Sequence, residues 1–147
     1  MRKQGFTLIE MLVVVAIIGV LSSVILTALG PSRDKAKDAR IIQEINQIRA
    51  LLESMNDGDY DAVPEIPASA IDNADLRVLV DDISRVGVAV TVHKYPSSRA
   101  SRYIVYSSLN LKLGTTESPI VNYFCVDSTG RAGYTTNDLS SAQQCPI

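Results

Sequence analysis

The sequence predicts an α+β fold in which a long N-terminal helix packs, over its second half, on a small antiparallel sheet of about four strands. Three observations predict it. Residues 6–30 form an apolar run, residues 41–55 carry an apolar stripe at helical spacing, and short alternating or β-branched segments follow residue 86. A chain of 147 residues has room for one ordinary domain but not comfortably for two.

The apolar run at 6–30 predicts a membrane-spanning helix. Its 25 residues make a helix of about 37 Å, enough to cross a ~30 Å hydrocarbon core with some tilt. Leu12 to Ile18 are apolar on every face, so lipid or other apolar helices must surround this segment. A secretory signal peptide is excluded because the run is too long and lacks a small-residue cleavage site. A plain single-span anchor explains the length and nothing more.

Glu10 is the one charged residue within this run. A carboxylate at the centre of a bilayer costs about 2.5–3.5 kcal/mol, and less towards an interface. No Lys, Arg or His lies between residues 6 and 30 to pair with it. Glu10 therefore requires either water or a partner from outside residues 6–30.

The residues around Glu10 form a specific pattern: a basic leader (Arg2, Lys3), then Gly5-Phe6-Thr7-Leu8-Ile9-Glu10 ahead of some twenty apolar positions. This pattern resembles the class III signal of type IV pilins and pseudopilins. The resemblance implies that residues 1–5 are a leader, which a prepilin peptidase removes between Gly5 and Phe6 before N-methylating Phe6. Glu10 then corresponds to the family's assembly glutamate. The new α-amine of Phe6, from the same or a neighbouring subunit, is a cation within its reach. Such a pair ~4 Å apart attracts by about 4 kcal/mol before desolvation.

Gly30-Pro31 predicts a kink or opening of the helix, because Pro31 cannot donate to the Thr27 carbonyl, and Ser32 can cap a fresh start. Residues 31–56 then continue as an amphipathic helix. Arg49 and Glu53 have the spacing of an outward ion pair. The apolar stripe of this second half consists of Ile41, Ile45, Ile48, Leu52 and Met55.

Residues 57–147 are predicted to form a globular head. The resemblance implies that it corresponds to the pilin head. It opens with an irregular loop at 57–74, and a short helix follows from Asp75 to Arg85 with Asn73 as its cap. The predicted strands are Val86–Val92, Tyr103–Tyr106, Ile120–Val126 and Arg131–Thr135. Short turns between strands favour antiparallel pairing.

Cys125 and Cys145 stand 20 positions apart in a polar, turn-rich tail. A membrane segment upstream would place them outside the cytosol, where a disulfide persists. That bond would close a loop at 125–145 and stabilise the fold by roughly 3–3.5 kcal/mol. The alternative is two buried free thiols.

No constellation for catalysis stands out, so we expect no enzyme, no cofactor and no metal site. His93 is the single histidine and lacks the second ligand or nucleophile that a metal or triad site requires. Asp57, Asp59 and Asp61 have spacing that calcium can use, but the rest of an EF-hand is missing. A mixture of bases and aromatics could bind phosphate and stack bases in a DNA-uptake pilin, although DNA is not the partner that we expect: Lys94, Tyr95, Arg99, Arg102 and Tyr103.

The resemblance implies a structural subunit of a type IV pilus-like filament, with adhesion, motility or secretion as its biological setting. Its expected partners are identical or related pilin subunits, the prepilin peptidase, an inner-membrane assembly platform and, before assembly, the membrane. The precursor would lie in the cytoplasmic membrane and the assembled subunit on the cell surface. Arg33, Lys35, Lys37 and Arg40 oppose this orientation, because basic residues favour the cytoplasmic side. Two alternatives remain: a pseudopilin of a type II secretion or DNA-uptake system, and a single-span membrane-anchored binding domain.

Overall fold

The computed structural model describes residues 5–66, 71–97, 99–114 and 118–146. The chain divides into two compact units, Met1–Asp34 and Lys35–Ile147. Helix α1 (Leu8–Ser54) begins in the first unit and ends in the second. Residues 1–4 of the predicted leader, with Arg2 and Lys3, lie outside the described residues.

The first unit is an apolar helical segment with no core of its own. Its large hydrophobic side chains, from Phe6 to Leu29, are all exposed. The few hydroxyl groups bond back to the helix: Ser23 Oγ donates to the Val20 carbonyl at 2.7 Å and Thr27 Oγ1 to the Val24 carbonyl at 2.9 Å. These bonds satisfy the hydroxyls within the helix and leave an apolar outer surface.

Helix α1 runs through Pro31 without a break. The predicted fresh start at Ser32 is therefore wrong. Proline removes one backbone donor, to the Thr27 carbonyl, and the bonds on either side are enough to keep the helix continuous. A bend at Gly30-Pro31 stays a prediction.

The second half of α1 confirms the apolar stripe, whose first four members are completely buried while Met55 packs against the core more loosely. The helix ends at Ser54, two residues before the predicted end at 56. Beyond it, the amides of Met55 and Asn56 donate to the Leu52 and Glu53 carbonyls at 3.2 Å, a tighter last turn that satisfies two terminal carbonyls.

Glu53 faces the head rather than solvent, so its interpretation as an outward partner of Arg49 is wrong. The hydroxyl of Tyr103 donates to Glu53 Oε1 at 2.6 Å, and that of Tyr60 donates to Oε2 at 3.0 Å. The two tyrosine rings meet edge to face with centroids 4.9 Å apart. Burial, reinforced by the neighbouring carboxylate, raises the pKa of Tyr103 far above its usual value.

Helix α2 (Ala74–Arg85) confirms the predicted short helix and its cap, since Asn73 Oδ1 accepts from the Leu76 amide at 3.0 Å. Leu76 and Ile83 are buried on its inner face. Arg40 on α1 donates to both Glu44, at 2.9 Å, and Asp82 of α2, and so links the two helices.

The main sheet confirms the predicted four-stranded antiparallel arrangement. Its strands are β1 (Val90–Tyr95), β2 (Arg102–Ser108), β5 (Tyr123–Asp127) and β6 (Ala132–Thr135), in the order β1-β2-β5-β6. The first strand starts four residues later than predicted. Gly87, at φ +91°, turns the chain after α2, so the segment from Val86 cannot yet be extended.

A second, two-stranded sheet pairs β3 (Leu113–Gly114) with β4 (Pro119–Ile120). The predicted strand at Ile120–Val126 is therefore split: Ile120 belongs to this hairpin and the main sheet resumes at Tyr123. Gly114 adopts φ +88°, and a Cβ there would lie 2.5 Å from the Ser118 carbonyl oxygen, so the hairpin requires glycine at this position.

The main sheet is covered on both faces. One face packs against α1 and α2 through residues such as Val92, Tyr103 and Val105. The other face, with Ile104 and Tyr106, packs against the C-terminal tail through Leu139 and Cys145. This double cover explains why five consecutive residues of β2, 103–107, are buried.

Candidate functional site

The segment before α1 presents the predicted cleavage site in an open conformation. Gly5, Phe6 and Thr7 precede the helix and have no regular secondary structure. Phe6 is 78% exposed, and a Cβ built on Gly5 would meet no atom within 4 Å. The Gly5–Phe6 peptide bond is therefore sterically accessible to an enzyme.

Thr7 and Glu10 form a reciprocal cap at the start of α1. The amide and the hydroxyl of Thr7 both donate to Glu10 Oε2 at 2.7 Å, and the Glu10 amide donates to Thr7 Oγ1 at 3.3 Å. This is a capping box, which satisfies backbone donors that a helix start leaves unpaired. The carboxylate also lies near the positive end of the helix dipole.

The cap gives Glu10 a local role that the sequence analysis missed. The signal was present as Thr-x-x-Glu directly before an apolar run. Both Thr7 donors reach Oε2, and within the part of the chain that the structure describes Oε1 accepts no hydrogen bond. One carboxylate oxygen thus holds the helix start and the other remains open to a donor.

The apolar surface beyond Glu10 is long enough for a bilayer. Among the described residues, α1 meets the length and composition of a membrane span, with a mean hydropathy of 2.8 over its most apolar window. None of that window is buried. Gly30 and Pro31 lie about 30 Å of helix from Glu10, so the residues predicted for the kink and for assembly are far apart along α1.

The structure joins Cys125 and Cys145 in a disulfide, with their Cα atoms 5.9 Å apart. Asp127, itself buried, anchors the same tail: its Oδ2 accepts from the Cys145 amide at 3.0 Å and its Oδ1 from the amides of Thr129 and Arg131. Burial alone would raise the pKa of Asp127, but these bonds and the Thr129 hydroxyl outweigh it and hold the pKa below its usual value.

Two of the three acids with calcium-like spacing accept hydrogen bonds from backbone amides. Asp59 Oδ1 accepts from the Asp61 amide at 2.9 Å, and Asp61 Oδ1 accepts from the Ala100 amide at 2.7 Å. Across residues 5–66, 71–97, 99–114 and 118–146, no group of three His, Cys, Asp or Glu side chains is placed to hold a metal ion.

The basic and aromatic residues proposed for DNA serve structural contacts in part. Lys94 Nζ donates to the Asp61 carbonyl at 2.8 Å, and the Tyr103 ring is buried against Tyr60. His93 lies between the rings of Tyr95 and Tyr106, with centroids 6.3 and 6.0 Å away. Tyr95 and Tyr103 pack into the cores on opposite faces of the main sheet, so the two rings do not share one stacking surface.

Comparison with known proteins finds a known motif at the N-terminus. A family model described as the prokaryotic N-terminal methylation motif matches residues 1–26, a range that includes Gly5, Phe6 and Glu10. The chain carries a class III signal peptide of type IV pilins and pseudopilins. With the long helix and the four-stranded sheet, the chain has an α+β, pilin-like architecture. No curated protein and no solved structure matches the chain significantly.

Proposed function

We propose that this chain is a structural subunit of a type IV pilus-like filament, processed by a prepilin peptidase after Gly5 and assembled through its N-terminal helix. The observation that carries the proposal is the methylation motif at residues 1–26, followed by an apolar helical surface that has no cover within its own unit. A surface of this size is stable only among lipids or other apolar helices. The two settings correspond to the precursor and the filament.

Processing supplies Glu10 with a counter-charge. Hydrolysis of the Gly5–Phe6 bond creates an α-amine four residues before Glu10, and N-methylation of that amine keeps it basic. Glu10 Oε2 is engaged by Thr7, and Oε1 is available for the amine of the same or a neighbouring subunit. In a dry bundle of helices, this charged pair fixes the axial offset between subunits because any other register buries an unpaired carboxylate.

The head folds independently of the contact between Glu10 and the Phe6 amine and supplies the outer surface of the filament. Its core, its disulfide and the hydrogen bonds of its buried carboxylates Asp38 and Asp127 lie within residues 35–147. Disulfides persist outside the cytosol, so a head closed by a disulfide suits the side of the membrane that faces away from the cytoplasm. The proposal therefore places the precursor in the cytoplasmic membrane and the assembled subunit on the cell surface.

The first experiment measures the mature N-terminus. The chain is produced with a prepilin peptidase, and its intact mass and N-terminal fragments are determined by mass spectrometry. We expect a chain that begins with N-methylated Phe6. Gly5→Leu is the matched variant: the space around Gly5 is open, so the fold is unaffected and only recognition by the peptidase is lost.

Fibres sheared from the producing cells are then imaged, and their main protein is identified. Processed chain as the main fibre protein supports the proposal. A chain that keeps Met1 in the presence of an active peptidase contradicts it and supports a single-span anchored domain. Processed chain that never enters fibres contradicts the main-subunit role and points to a pseudopilin.

A further inference from the structure

One end of the head carries a group of exposed apolar side chains beside a basic residue. Leu113 and Ile120 face each other across the β3–β4 hairpin, and Val121 follows directly. Tyr134, from β6, is 61% exposed. We name this surface the base patch: Lys112, Leu113, Ile120, Val121 and Tyr134.

The base patch is adjacent to Lys35, the first residue of the second unit. A cleft of about 230 Å³ is lined by Lys35, Ala39 and Ile42 of α1 together with Leu111, Asn122 and Tyr134. Leu111 and Asn122 are the immediate neighbours of the patch along the chain. The patch therefore lies at the end of the head where the chain enters it.

A buried carboxylate fixes this placement. Asp38, one turn after Lys35, accepts from the Asn110 amide at 2.6 Å through Oδ1 and from the Leu111 amide at 2.9 Å through Oδ2. The Leu109 amide in turn donates to the Asn122 carbonyl at 2.7 Å. These bonds hold both arms of the hairpin against the start of the head.

The covalent chain limits how far this end can move from a membrane. Lys35 is five positions after residue 30, the end of the apolar run, and a fully extended chain spans at most ~3.6 Å per residue. Lys35 is thus within about 18 Å of the end of the run in any arrangement. If residues 6–30 span a bilayer, the base patch is tethered at its surface.

We propose that the base patch docks on the lipid surface before assembly, with anionic phospholipid headgroups as its partner. This inference rests on the proposed function, because it requires residues 6–30 to be inserted. Leu113, Ile120 and Val121 enter the boundary between headgroups and acyl chains, and Tyr134 takes the interfacial position that amphipathic rings favour. Lys35 and Lys112 attract the phosphate groups.

A lipid surface fits the base patch better than a second copy of the chain. The tether keeps the patch beside lipid at any protein concentration, whereas a second copy must be met by diffusion. The patch combines exposed apolar side chains with a neighbouring lysine, and membrane segments that lie in the interface have the same combination. Docking would hold the head in one orientation on the bilayer until the subunit leaves it.

Single-tryptophan reporters test this directly, because the chain contains no tryptophan. The full chain is reconstituted in phosphatidylcholine vesicles, with or without phosphatidylglycerol, that contain lipids brominated near the headgroup end of the acyl chain. Tyr134→Trp reports on the base patch. Val78→Trp is the matched control, since Val78 is 66% exposed and lies beside Gln47–Ser54, about 18–28 Å further along α1 than Lys35. Leu21→Trp reports on insertion of the helix.

We expect brominated lipid to quench Tyr134→Trp and to leave Val78→Trp unchanged. The quenching should increase with phosphatidylglycerol and decrease when Lys112→Gln, or Leu113→Thr with Ile120→Thr, is added. Quenching of Leu21→Trp without quenching of Tyr134→Trp overturns the inference and leaves the proposed function intact. Absence of quenching at Leu21→Trp contradicts membrane insertion and with it both proposals. A blue shift of Tyr134→Trp without quenching indicates a protein neighbour, such as a second copy, and also overturns the inference.

Discussion

The two units of the chain differ in how far their apolar side chains are buried and in how fully their carboxylates are hydrogen-bonded. In residues 35–147 the large apolar side chains form a closed core, and the buried carboxylates of Asp38 and Asp127 accept several hydrogen bonds each. In residues 5–34, the described part of the first unit, the large apolar side chains are exposed, and Glu10 accepts hydrogen bonds through Oε2 alone. The head thus buries its apolar side chains within its own fold, whereas the described part of the first unit leaves its apolar side chains exposed.

The largest expected effect comes from the same substitution made in both units. Ile45→Ala removes a fully buried side chain and should lower the free energy of unfolding of the head by about 2–5 kcal/mol. Ile18→Ala, at an exposed position, should leave it unchanged. All six tyrosines lie in the second unit, so tyrosine fluorescence during denaturant unfolding in detergent reports on the head alone.

Equal destabilisation by the two variants would contradict this contrast between the units. It would mean that the first unit contributes to the stability of the head. Unchanged stability in Ile45→Ala would instead contradict the described core, since a cavity at a fully buried position has no compensating contact.

Loss of the disulfide should have the next largest effect. Replacing Cys125 and Cys145 together by alanine should lower the free energy of unfolding by about 3 kcal/mol, because the unfolded chain regains the freedom of a 20-residue loop. Calorimetry or denaturant unfolding measures this. Wild-type protein treated with reductant is the control and should show a similar loss, while a reductant effect in the double variant would point to another cause.

Acid should weaken the head through Asp127. Its pKa is lower in the folded chain than in the unfolded chain, so its stabilisation is complete above the unfolded value near 3.9 and is lost as the pH falls through the folded pKa. Asp127→Asn should cost about 1.5–3 kcal/mol at neutral pH. The difference from wild type should shrink below about pH 4.

Asp81→Asn, an exposed acid on α2, is the control for this measurement. Its unfolding free energy should follow that of wild type across the same pH range. A wild-type–Asp127→Asn difference that stays constant from neutral to acid pH would show that the carboxylate's charge plays no part in anchoring the tail.

The sequence predicted those parts of the fold that periodicity encodes. The stripe of isoleucines on α1 and the β-branched strands repeat often enough to be read locally. The β3–β4 hairpin has two residues per strand and shows no period. The partners of Glu53 are Tyr60 and Tyr103, and no local pattern reveals a contact across 50 positions.

The candidate site was predicted in its residues but not in its geometry. Gly5, Phe6 and Glu10 follow from a local motif, and the capping role of Thr7 could have been read from the same letters. Which acids become buried could not: Asp38 and Asp127 look like any of the other acids until the fold supplies their backbone donors. The base patch could not be predicted either, because its residues come together only when segments distant in the sequence pair.

The central claim is that the charge of Glu10 acts in assembly, beyond its role in the helix cap. Glu10→Gln separates the two roles, because glutamine also completes a capping box but carries no charge. Thr7→Val is the converse control, which removes the two bonds of the cap that involve the Thr7 hydroxyl and keeps the carboxylate. The measurement is the amount of each processed subunit that enters sheared filaments, relative to wild type. We predict that Glu10→Gln fails to assemble as severely as Glu10→Ala while Thr7→Val still assembles; normal assembly of Glu10→Gln would contradict the account.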